Sequence, residues 1–318
     1  MFYNSVMVVS STIFGRLGDT IGRKRIVIIG FIVSGVVFLC HMFAGDLISL
    51  YVIRGCAGIG AGMVPGPLAA LASSGSVGIF TACGSFGFMC SSILAGVLKN
   101  DTLVFSCAAA MCLIGFLLSL FIKEKVQAIR VPLFPINIIK KNLDVYIPFL
   151  IRHSAASAIW GIFPIFLASL GADRFKIGML YAVNPLMQFT FMLLLARRKT
   201  AQLINVGLIA SAATFVGYAV VPHWGIVFLF QALLGFSWAN LYLGSLKQLL
   251  DNNTEQATAS GLLNSVIGLS GIIGPLIGGI VTLLGMRVLF FFSATMAFGG
   301  FIASRHLRSQ ATETQFLQ

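Results

Sequence analysis

Eleven apolar runs separated by short polar breaks account for nearly the whole of this chain. They lie at about 1–14, 26–44, 47–71, 75–98, 102–122, 145–170, 177–195, 202–221, 224–246, 257–284 and 288–304. A helix of roughly 20 apolar residues crosses the hydrocarbon of a bilayer. All the runs but the first reach that length or come close to it. Lipid offers a backbone no hydrogen-bond partners, so runs of this kind must be helices. Only 9% of the residues are charged and 58% are hydrophobic, whereas soluble domains are about a quarter charged. The expected fold class is an all-α polytopic membrane protein, with the lipid bilayer as its main partner.

Short breaks force successive helices to return across the membrane, so alternate breaks share a face. One set carries Arg16, Arg23, Lys24, Arg25, Lys123, Lys125, Arg130, Lys140, Lys141, Arg197, Arg198, Lys199, Lys247, Arg305 and Arg308. The other carries only Lys99, Arg174, Lys176 and Arg287. Cytoplasmic loops are enriched in Lys and Arg, so the 15–25 loop, the 123–144 loop and the C-terminus are expected in the cytoplasm of a multi-pass cell-membrane protein. The net charge of +12 is therefore topology and not a nucleic-acid patch. Cys40, Cys56, Cys83, Cys90, Cys107 and Cys112 all fall inside apolar runs without metal-ligand spacing. They read as packing residues, and no metal or cofactor is expected.

The longest break, about Lys123 to Asp144, holds Pro132, Pro135 and five cations. It divides the chain into an incomplete N-terminal helical half (1–122), a cytoplasmic linker (123–144), a C-terminal half of six helices (145–308) and a polar tail (309–318), with the chain after residue 304 expected to be disordered. Faint echoes relate the halves: Ile53-Arg54-Gly55-Cys56-Ala57-Gly58 with Phe230-Gln231-Ala232-Leu233-Leu234-Gly235, and the glycine-ended segments at 91–96 and 274–279. Two helical halves in parallel repeat are a transporter architecture.

The break Gly15-Arg16-Leu17-Gly18-Asp19-Thr20-Ile21-Gly22-Arg23-Lys24-Arg25 packs one carboxylate, three glycines and four cations between two apolar runs. Gly15 and Gly18 share a helix face and admit a close neighbour. Asp19 can accept from Arg23 or from the positive N-terminus of another helix.

This turn resembles the signature between spans two and three of the major facilitator superfamily. Gly15, Asp19, Gly22, Arg23 and Lys24 fit, and Thr20 stands where the family has a basic residue. Arg54 with Gly58, Gly60 and Gly62 resembles the fourth-span motif, and Gly274-Pro275-x-x-Gly278-Gly279 the eleventh. The resemblance implies about eleven spans, with the first missing, the second clipped and the chain N-terminally truncated. It implies that Gly15, Gly18, Asp19, Gly22, Arg23 and Lys24 form a gating motif, Asp19 meeting a helix that begins near Thr254 to Thr258. Gly58, Gly62, Gly274, Pro275, Gly278 and Gly279 would pack helices.

Ionisable groups inside spans are functional candidates by default. Arg54 lies about five residues into its run, and Arg152 and His153 lie deep in theirs. Asn184, Gln188, Gln231, Trp238, Asn240, Tyr242 and Asn264 are further mid-run groups suited to a pocket of mixed polarity. All nine acids sit in breaks, at run ends or in the tail. Either a proton carrier lies on a preceding span, or His153 serves, or coupling is not to protons. The coupling ion is left as proton or sodium.

Glycines 58, 60, 62 and 66 follow no strand and carry no nucleotide-loop lysine. The four histidines are scattered singly, which speaks against an enzyme. The expectation is a secondary transporter that moves a small solute by alternating access, with antiport and efflux of amphipathic compounds, in a drug-efflux-like branch, as one form. The alternatives are a non-transporting truncated membrane protein and a polytopic membrane enzyme.

Overall fold

The computed structural model describes residues 1–98, 100–124 and 129–316. Lys99 and Lys125, two of the cations in the charge count, lie outside them. Among the described residues the chain is helical, without a strand. The helices are α1 (Phe2–Ile21), α2 (Arg23–Cys40), α3 (Leu47–Met63), α4 (Pro65–Ala72), α5 (Val77–Leu98), α6 (Asp101–Leu120), α7 (Ile136–Lys141), α8 (Leu143–Trp160), α9 (Phe163–Ser169), α10 (Arg174–Leu195), α11 (Thr200–Val220), α12 (Val227–Asn252), α13 (Gln256–Val281) and α14 (Met286–Phe316).

Among the described residues, nine helical stretches are long and apolar enough to cross a membrane. The pair α8 and α9, which meet at 51°, makes a tenth if read as one bent span. The run at 1–14 is the front of α1, where Asn4, Ser5, Ser10, Ser11 and Thr12, then Arg16 and Asp19, dilute the apolar character. The motif at 15–25 is therefore mostly helix. Gly22 alone makes the turn, at φ 113°, a conformation that a Cβ disfavours. The segment after residue 304, expected to be disordered, continues α14 as helix to Phe316.

Proline and polar caps explain where the helices break. Pro65 lacks an N–H and separates α3 from α4 within the run at 47–71. Gly161 and Pro164 stand at the bend between α8 and α9. Asp46 and Ser49 cap α3 reciprocally, Asn100 caps α6 and Asp173 caps α10. Accepting those backbone donors holds the Asp46 and Asp173 carboxyls below their usual range. Acids thus stand at helix starts because N–H groups there lack partners.

The helices assemble into two compact units, to both of which α5, α7, α12 and α13 contribute. Unit one comprises Met1–Gly75, Ser91–Lys140 and Leu249–Leu269. In it α1 lies along α3, and α2 packs on α3 and α6. A Cβ added to Gly58 would stand 2.5 Å from the Tyr3 carbonyl, and one on Gly62 2.5 Å from Ser10 Oγ, so these backbones touch because no side chain intervenes.

Unit two comprises Ser76–Cys90, Lys141–Gln248 and Ser270–Gln318. Here α14 packs along α8 and α11. Aromatic rings fill the interior, with Phe166 and Phe290 centroids 4.6 Å apart and Phe163 and Tyr218 4.9 Å apart. Gly274 and Gly278 press on α8, where an added Cβ would stand 2.6 Å from Ser154 O and 2.7 Å from Ala158 O respectively. Pro275 and Gly279, one position further round the helix, face outward, and a Cβ on Gly279 would meet nothing within 4 Å. Asp144 accepts from Gln248 Nε2 at 2.7 Å and pairs with Arg308 Nε at 3.4 Å, bracing α8, α12 and α14.

Candidate functional site

The densest polar constellation in unit one surrounds Asp19, in the last turn of α1 and 2% exposed. Its Oδ1 accepts from Ala257 N at 3.1 Å, and its Oδ2 from Thr258 N and Thr258 Oγ1, both at 2.8 Å. Ala257 and Thr258 are the second and third residues of α13. Asp19 thus satisfies two of the orphan N–H groups of a helix starting more than 230 residues away, and sets a negative charge at its positive end. Arg23, one turn on at the start of α2, completes the shell through Nε at 3.3 Å and Nη2 at 3.1 Å.

Arg23 spreads the contact further. Its Nη1 donates to Ala70 O and to Gln256 Oε1, each at 3.1 Å, and Ser73 Oγ donates to the same Gln256 oxygen. Glu124 accepts from the Arg23 and Lys24 backbone N–H groups at 3.0 and 2.9 Å, capping α2, and Lys24 Nζ reaches Leu120 O at the end of α6. Arg16 Nε donates to Val131 O, and Ile129 N to Asp19 O. The segment after α6 is thereby tied to the turn.

Close backbone approach makes these bonds reachable. A Cβ on Gly15 would lie 2.7 Å from Ala257 O, one on Gly18 3.0 Å from Pro67 Cγ, and one on Gly261 2.6 Å from Ser11 O. Gly66 stands equally near Gly261. Further along the crossing, Asn264 Nδ2 donates to Ser11 Oγ and Ala61 O, and Ser265 Oγ to Val8 O. The start of α13, with Gln256 and Thr258, falls in the stretch 254–258 that the resemblance pointed to, whereas Glu124, Gly66 and Gly261 were not anticipated as parts of this site. Each is an ordinary break or span residue in sequence, and only its neighbours mark it out.

The other sequence candidates fall elsewhere. Arg54 is exposed and borders, with Tyr3, a cavity of about 320 Å³ in unit one whose walls include Phe31, Phe38, His41 and Phe105. In unit two, Gln188 Nε2 donates to Asn184 Oδ1, and Ser85 Oγ to Gln188 Oε1, joining α5 to α10. Asn240 bonds back to Phe236 O of its own helix. Trp238 stacks on Tyr242 at 5.3 Å and lies 5.0 Å from the His153 ring. Arg152 is 2% exposed and turned among α8, α11 and α12, and Gln231 is fully buried.

Comparison with known proteins fits this geometry. Residues 1–151 match the family described as Major Facilitator Superfamily. No curated protein sequence matches the chain. The fold is similar to the crystal structure of the human organic anion transporter MFSD10 (TETRAN), with a TM-score of 0.83 and 14% identity over 95% of this chain and 82% of that one. Residues 1–151 thus match a transporter family, and nearly the whole chain carries a helical, multi-pass membrane fold similar to that of the solved transporter.

Proposed function

We propose that this transporter moves a small solute by alternating access, and that the contact of Asp19 with the start of α13 is a latch holding one mouth of the pathway closed. The observation that carries the reading is the fully engaged, buried carboxylate of Asp19. A charge cluster that only set topology would need no acid capping a distant helix and no glycines at the crossing.

The arrangement has two natural states. Three of the five contacts to Asp19 come from α13 and two from Arg23. When α13 withdraws, Arg23 stays with the carboxylate, and water replaces the donors of α13. A charge left paired on departure keeps the open state accessible. The Lys and Arg bias supports a position for this latch at the cytoplasmic face of a cell membrane. The halves 1–122 and 145–308 are the bodies that exchange access, and a proton or sodium ion is the coupling partner. MFSD10 is described as an organic anion transporter, which supports a small anionic or amphipathic solute here, with efflux as the direction.

The test is transport in proteoliposomes under imposed pH, sodium and solute gradients, using a panel of small organic anions. Asp19→Asn should abolish transport while leaving insertion and orientation unchanged. Full transport in that variant would refute the latch.

A further inference from the structure

We propose that Arg152 is the seat of a small monovalent anion bound inside unit two, a site separate from the latch. A guanidinium keeps its proton under all ordinary conditions, so Arg152 is a permanent charge in a membrane-spanning helix. Its Nε donates to Ser211 Oγ at 2.7 Å and its Nη2 to Ser237 Oγ at 3.2 Å. The rings of Trp238 and Phe215 stand 5.4 and 5.8 Å from Cζ. All these partners are neutral. Within the helices that surround it and their ends, the carboxylates Asp144 and Asp173 are paired with Arg308 and Lys176. Asp144 also lies eight residues before Arg152 on the same helix, about 12 Å along its axis. A buried charge without a counter-charge is strongly disfavoured.

The same helical seam supplies space and further donors. One turn on from Arg152, Ser211 and Ser237 stand Ala156, Phe215 and Leu234, and these line a cavity of about 10 Å³ together with Tyr218. That is room for one body the size of a water molecule. The Tyr218 hydroxyl at this cavity has no partner among the described residues, and neither has the amide of Gln231, three residues before Leu234 on α12. A guanidinium, a phenol and a carboxamide all offer N–H or O–H donors. A water would satisfy the phenol but leave the guanidinium charge, whereas a small anion answers both. A space of that size suits a single-atom halide and excludes polyatomic anions.

The experiment is thermal unfolding of the intact purified protein in detergent, with sodium gluconate replaced stepwise by sodium chloride at constant ionic strength. A saturable rise of several degrees is expected, as for any ligand that binds only the folded state. Tyr218→Phe keeps the ring and removes one donor, so half-saturation should move to about tenfold higher chloride. Arg152→Gln should abolish the response. An equal rise with formate in place of chloride would mark a salt effect that needs no seat of this size, and would overturn the proposal. A flat wild-type titration, or equal responses in wild type and both variants, would overturn the proposal. The wild-type and Tyr218→Phe titrations decide the matter even where Arg152→Gln does not fold.

Discussion

Replacing Asp19 by Asn tests the latch with the size and shape of the side chain kept. The side chain must present its amide nitrogen either to Thr258 N and Oγ1 or to Ala257 N and the Arg23 guanidinium, since these donors face the two oxygens separately. Either way one backbone N–H of α13 loses its acceptor. A hydrogen bond to a charged acceptor contributes about 1.5–3 kcal/mol. The lost charge at the N-terminus of α13 removes about 0.3–1 kcal/mol more. Arg23 is partly solvated, with 20% of its side chain exposed, so its share is discounted. The sum is about 3 kcal/mol against the closed arrangement, on the order of a 100-fold shift toward the open one. Ser260, 4% exposed and donating to Gly66 O at 2.9 Å, reports that opening. With the six native cysteines replaced and Ser260→Cys introduced, a membrane-impermeant maleimide should label the Asn variant at least tenfold faster than the Asp parent. Equal labelling rates would show that Asp19 does not hold this crossing closed.

Three further substitutions separate the parts of the site. Gly261→Ala places a methyl against the Ser11 carbonyl, so α1 and α13 must part; accelerated labelling at position 260 is expected, and an unchanged rate would mean that the glycine crossing is not limiting. Glu124→Gln leaves one of the two N–H groups at the start of α2 poorly capped, which should lower stability by about 1 kcal/mol; this is read as a reduced melting temperature, and an unaltered one removes the capping role. Gly22→Ala forces a side chain into φ 113° at roughly 1–3 kcal/mol, so it should reduce the yield of folded protein more than Thr20→Ala does. Similar yields would refute the requirement for glycine at the turn.

The membrane-spanning class, the positions of the apolar runs and the turn at 15–25 were all legible from residue type alone, because each depends on local pattern. Burying a backbone in lipid demands helices of one length, and a break with three glycines and four cations is unusual in any context. Segmentation was less legible. Pro65 splits one run, Gly161 and Pro164 bend another, and α14 carries its helix well into a polar stretch. Helix propensity continues where hydrophobicity stops, so an apolar run underestimates its helix.

Partners were hidden further still. Sequence marked Asp19 as an acid in need of a donor and singled out Arg152 as an intramembrane charge. The family resemblance pointed Asp19 to a helix beginning near Thr254 to Thr258, but residue type alone could not reveal which donors it meets there, nor that Glu124 caps α2. It could not show that Arg152 turns into a seam of serines and rings. Local chemistry states what a group requires, through charge, donors and conformational freedom. Which group meets the requirement depends on backbones brought together from hundreds of residues apart, and for this protein only the packing of α1 on α13 and of α8 on α11 and α12 decided it.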